Sequence, residues 1–253
     1  MRADADTPDD RKTLAAQLSH WLAEAHELRL SAADPARTPR RQRLREFQAA
    51  RLTHTHADLL ASSRYEQAAR FFLTDLYSPK DLSTRDAEIE RVLPVMTSAL
   101  PRSALHALLQ AAELDALSER FDGQLIDALA GRLDAPLAEA DYADAYRQVG
   151  NAPGRQRQIE LIQAIGTTLD HLAHKPGLVT LLRMMRRPAQ AAGLGELQAF
   201  LERGFTAFRS MERADEFVAT VVARERALSR ALFDGAPSLA LPADQGATAH
   251  PAP

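Results

Sequence analysis

Leu194, Leu197, Leu201, Phe205 and Phe208 recur every three or four positions, and Phe217, Val218, Val221, Val222, Leu228 and Leu232 repeat the pattern. That spacing gathers side chains onto one face of a helix, whereas a strand needs strict alternation. The same period returns in Leu14, Leu18, Trp21, Leu22, Ala25 and Leu28, and no alternating apolar/polar run of strand length occurs. The pattern predicts an all-α fold, an irregular multi-helix bundle of about nine or ten helices. Composition agrees: Ala and Leu dominate and Arg far outnumbers Lys, all helix-favouring choices. Apolar residues at 45% can fill a core, and aromatics at only 6% make that core mostly Leu, Ala and Val.

Punctuation sets the expected boundaries. Residues 1–11 read as a polar, acidic lead-in, with a first helix from Lys12 to Ser31. Asp34-Pro35 breaks it. Thr38 as cap and Pro39 at the first helical position restart the chain, because proline lacks only an N–H that would be orphaned there. This second helix is expected to reach Ala61. Ser63 and Glu66 match a capping box ahead of an apolar helix through Phe71, Phe72 and Leu73. Ser78-Pro79 stops that helix, Ser83 caps a fourth carrying Ile89, Val92, Leu93 and Met96, and Pro94 kinks it.

A long helical stretch follows Pro101 to about Leu133, with Gly123 as its weak point. Asp134-Ala135-Pro136 is the clearest internal break. Residues 12–234 read as one helical domain, with a subdomain boundary near 134–138 left open. Further helices fit Glu139–Val149, Arg155–Ala173, Gly177–Arg186, Leu194–Met211 and Asp215–Phe233, and Gly150 to Gly154 separates the first two. Residues 235–253, rich in Pro and Ala, read as a disordered tail.

Several function classes find no support. The net charge of −3 lacks the global positive field of a general nucleic-acid binder. Cys is absent, removing disulfides, thiolate nucleophiles and Cys-ligated metals. No secretory apolar core or membrane-length run occurs, so a cytoplasmic location is expected. There is no phosphate-binding Gly loop, dinucleotide fingerprint, Gly-x-Ser-x-Gly elbow or Glu-x-x-His pair. No catalytic residue, cofactor or metal site is assigned.

Four places carry enough chemistry to name. Asp75 shares a helix face with Phe71 and Phe72, and a buried carboxylate must be paired or protonated. Arg85, beyond the turn, is its expected partner. The two form a clasp between helices, or else Tyr77, Asp81 and Arg85 join Asp75 around a polar pocket for a ligand. His171 and His174, three apart near a helix end, fit dipole capping better than a metal pair. His54 and Asp58, four apart, can form a hydrogen-bonded pair, and with His56 they read as a surface group. Arg37, Arg40, Arg41, Arg43 and Arg45 crowd a helix start, where cations are unfavourable. They require acids elsewhere in the fold or, less simply, a nucleic-acid phosphate. Arg183, Arg186 and Arg187 form a smaller group at a helix end.

The segment Arg51–Met96, with its Phe71-Phe72-Leu73-Thr74-Asp75-Leu76-Tyr77-Ser78-Pro79-Lys80-Asp81 core, resembles a family of uncharacterised bacterial all-helical proteins of similar length. Gly195–Arg209 with Asp215-Glu216-Phe217 resembles the C-terminal part of the same family. The resemblance implies a coherent helical fold and brings no activity, cofactor or catalytic residue. Two functions follow as expectations. One is a non-enzymatic helical protein acting through a protein partner or as a homo-oligomer. The alternative is a binder of, or enzyme for, a small molecule, with anionic or phosphate-containing ligands the first class to consider, its pocket near Asp75–Asp86 and Tyr142, Tyr146 or Arg209 contributing.

Overall fold

Helices make up every regular element of the described residues, as the 3.6-residue period requires. The computed structural model describes residues 8–31, 33–35, 37–73 and 102–241. The elements are α1 (Pro8–Ser31), α2 (Thr38–Thr55), α3 (Ala57–Ala61), α4 (Glu66–Phe71) and α5 (Arg102–Leu129). A 3₁₀ turn (Ala130–Asp134) leads to α6 (Glu139–Val149), α7 (Ala152–Ala173), α8 (Leu178–Met184), α9 (Arg186–Ala191), α10 (Gly195–Ser210) and α11 (Asp215–Phe233).

The central rod is α5, whose 28 residues span about 42 Å. It packs against α1, α2, α6 and α7. Gly123 does not break it, although an interior glycine costs about 1 kcal/mol relative to alanine. Phe121, Leu125, Ile126 and Leu129 around that glycine are all buried, and their burial outweighs the local cost. Against one end of α5, Leu18 and Leu22 of α1 close on Ala112, with Trp21, Leu108 and Leu109 at the margin.

Two larger apolar clusters share α11. Phe217, Val218, Val221 and Val222 join Phe71 of α4, Leu172 of α7 and Phe205, Phe208 and Met211 around α10. Further along α11, Leu228 and Leu232 meet Leu44 of α2, Leu125 and Leu129 of α5, and Tyr142 and Tyr146 of α6. Close approach is built in where α7 crosses α11: a Cβ on Gly166 would lie 2.8 Å from Val218 Cγ2.

Local differences from expectation have physical causes. Helix α1 starts at Pro8, inside the stretch that composition reads as lead-in. The second helix is interrupted at His56 (φ −117°, ψ 26°), which turns inward and leaves α3 as a separate short turn. No capping box forms at Ser63: Tyr65 takes the cap position without a side-chain bond, and Glu66 instead accepts from Arg70 Nε at 2.9 Å. The break is shorter than 150–154: only Gly150 and Asn151 are non-helical and α7 already begins at Ala152, with Asn151 in the left-handed region (φ 58°) accepting from the Gly154 N–H at 3.0 Å. Beyond Gly235 the chain does not leave the fold at once. Leu239 is buried, and its N–H donates to Glu139 at 2.9 Å.

Candidate functional site

The four residues singled out by sequence, Asp75, Tyr77, Asp81 and Arg85, lie outside the described residues, as do the Ser78-Pro79 stop, the Ser83 cap and the helix kinked at Pro94. The other candidates are placed.

The arginine run finds acids within the fold. Arg40 engages Asp134 through Nε and Nη2 at 2.9 and 3.0 Å, and Arg37 reaches Asp127 at 2.7 Å. Arg41 and Arg45 of α2 converge with Arg29 of α1 on Glu119 of α5, whose side chain is only 6% exposed. Burial lowers the Arg41 guanidinium and the Arg45 charge lowers it further, while Glu119 opposes the shift. These charges fasten α1 and α2 to α5.

The histidines divide. His171 and His174 each aim Nδ1 at the carbonyl four residues back, Thr167 O at 3.3 Å and Asp170 O at 2.8 Å, and only the second belongs to the last turn of α7, where a capping histidine acts. His56 departs from the surface reading. It is 3% exposed, and its Nε2 lies 3.3 Å from Glu225. Asp58 pairs with Arg224 at 2.7 Å rather than with His54.

Arg51 of α2 also meets Glu225. Burial alone would raise that carboxyl; the Arg51 charge and the hydrogen bonds from His56 and Arg51 outweigh it and lower the group to about 2. Glu225 and Arg51 form part of the wall of a cavity of about 130 Å³ between α2, α5, α6, α7 and α11. Leu52, Ile159, Ile162, Leu228 and Leu232 give it an apolar side. The polar side holds Arg155 and Gln158 of α7, with Ser118 of α5 and the Tyr146–Ser229 pair, whose hydroxyls are 3.0 Å apart. Burial raises the Tyr146 hydroxyl above its ordinary range.

Arg155 is the unusual member. It is 8% exposed, and its guanidinium carbon sits 3.9 Å from the Phe121 ring centre and 4.5 Å from that of Tyr146. Nη1 donates to Gln158 Oε1 at 3.2 Å, while Nε and Nη2 are buried with no acceptor among the described residues. Sequence reasoning noticed Tyr142 and Tyr146 but missed Arg155, Phe121, Glu225 and Arg51. The available signal was a cation in the first turn of a helix, where it opposes the dipole.

On the surface, Arg183, Met184, Met185, Arg186 and Arg187 are five consecutive exposed residues where α8 meets α9. Met184 is 71% and Met185 44% exposed. Arg186 pairs with Glu202 of α10, whereas Arg187 has no ion pair among the described residues. No helix of the described residues is long and apolar enough to cross a membrane.

No curated protein and no solved structure matches the chain. One family model matches residues 27–239, from late α1 to the buried Leu239, and the chain therefore belongs to the Domain of unknown function (DUF8198) family.

Proposed function

We propose that the protein acts by binding another protein, through the face where α8 meets α9. One observation carries this reading: two adjacent methionines stand exposed among arginines, on two short helices. Methionine is flexible and polarisable and suits a surface that must fit a partner. Exposed apolar side chains gain by being covered, and Arg183 and Arg187 favour an acidic neighbour. A two-fold dimer through this face would set the same arginines against one another, so the occupant is a different protein with an acidic, apolar segment. The lack of Cys suits a reducing compartment. With that, we read a cytoplasmic bacterial protein built as one helical domain.

The test replaces Met184 and Met185 together by Glu. Both are exposed, so folding stability is expected to change by no more than about 0.5 kcal/mol each. The wild type is expected to retain a partner from its native lysate and to release it as salt screens the arginines. The double variant is expected to retain none. Retention that survives the double substitution, or a wild type that is strictly monomeric and retains nothing, overturns the reading.

A further inference from the structure

Arg155 combines three conditions that each disfavour a cation. It lies in the first turn of α7, a 22-residue helix whose N-terminus carries partial positive charge. It is buried. It has no ion pair with any carboxylate among the described residues. A buried charge that lacks a partner is strongly destabilising, so its presence here calls for a counter-charge.

The geometry specifies what that counter-charge looks like. Phe121 and Tyr146 cover the guanidinium faces, and Gln158 takes Nη1. What remains is the edge formed by Nε and Nη2, whose N–H bonds point the same way. Elsewhere in this chain that edge takes carboxylates with both oxygens. Arg40 does so on Asp134 at 2.9 and 3.0 Å, and Arg157 on Glu113 at 2.7 and 2.7 Å. Two parallel N–H···O bonds are the strongest and most selective way for arginine to hold a planar anion.

The cavity beside it limits size and charge. Arg51 is matched by Glu225, and Asp122 is held by Arg45 at 3.6 Å and Gln48 at 3.0 Å. Among the described residues, Arg155 is then the charge of the wall left without a counter-charge, which favours a monoanion over a dianion. At about 130 Å³ the space is close to the ~150 Å³ that holds a benzene ring, an occupant of about six heavy atoms. Leu52, Ile162 and Leu232 suit a hydrocarbon end. From this geometry we infer that the cavity between α2, α5, α6, α7 and α11 binds a small aliphatic carboxylate, held side-on by Arg155.

Butyrate is the probe, with butyramide as its neutral counterpart and inorganic phosphate as the alternative oxyanion, all at matched ionic strength. Calorimetric titration of the full chain is expected to give saturable butyrate binding at least about tenfold tighter than either of the others. Butyrate should also raise the thermal unfolding midpoint of the wild type. Arg155→Met keeps the stem and removes the charge, and its midpoint should not respond to butyrate. Arg155→Lys keeps the charge without the planar fork and should bind at least about tenfold more weakly. Butyramide binding as well as butyrate, phosphate binding more tightly, undiminished binding by either variant, or no butyrate binding by the wild type would each overturn the inference.

Discussion

Gly166 of α7 lies so close to Val218 of α11 that a Cβ on the glycine would stand 2.8 Å from one valine methyl and 3.3 Å from the other. Valine has little rotamer freedom in a helix, so the contact cannot be relieved by turning the side chain. Gly166→Ala should therefore destabilise the protein by about 1–3 kcal/mol, despite the roughly 1 kcal/mol that alanine gains in helix propensity. Urea unfolding measures the loss. Val218→Ala in the same chain should recover part of it, giving a coupled rather than additive double-mutant cycle.

Glu119 is the shared acceptor of Arg29, Arg41 and Arg45. Removing one member of a buried charge cluster leaves the rest uncompensated, at a cost of about 3–5 kcal/mol. Glu119→Ala should fall in that range by chemical denaturation. Glu216→Gln is the contrast. Its carboxylate accepts from Tyr65 and Arg64 but is 71% exposed, so its loss should be far smaller than that of Glu119→Ala and should shrink further with added salt.

Glu225 ties stability to pH. Its folded value of about 2 lies below the ordinary 4.5, so its contribution is complete above pH 4.5 and disappears as pH falls toward 2. The shift corresponds to a contribution on the order of 3 kcal/mol. Unfolding free energies measured from pH 6 to 2 should fall more steeply in the wild type than in Glu225→Gln. Parallel curves would assign the acid sensitivity to other carboxylates.

Asn151 tests the start of α7. Asn151→Gly keeps the left-handed backbone accessible and loses only the bond to the Gly154 N–H. Asn151→Ala loses that bond and also strains the backbone, so it should be the more damaging by about 1 kcal/mol in thermal or urea unfolding.

Elements whose ends coincide with strong punctuation were legible in the sequence. Helices α6, α10 and α11 fall close to where period, proline and glycine place them, and the arginines beside Pro39 were read as needing distant acids. The failures share a cause. Ser63 and Glu66 matched a capping pattern, but Arg70 one turn on offered Glu66 a charged partner instead. His56 reads as a surface residue because nothing local shows that Glu225, 169 residues on, comes to meet it. Phe121 and Arg155 each looked ordinary. A period reveals which side of a helix is apolar, not which other helix that side will face.

The sharing of α11 between two apolar clusters bears on biosynthesis. Phe217 to Val222 close one cluster and Leu228 to Leu232 the other. A nascent chain released up to α10 still lacks a wall of both. Neither of these two clusters can close before Phe233 is made, so both are completed late in synthesis, whereas the packing of α1 on α5 does not wait for α11.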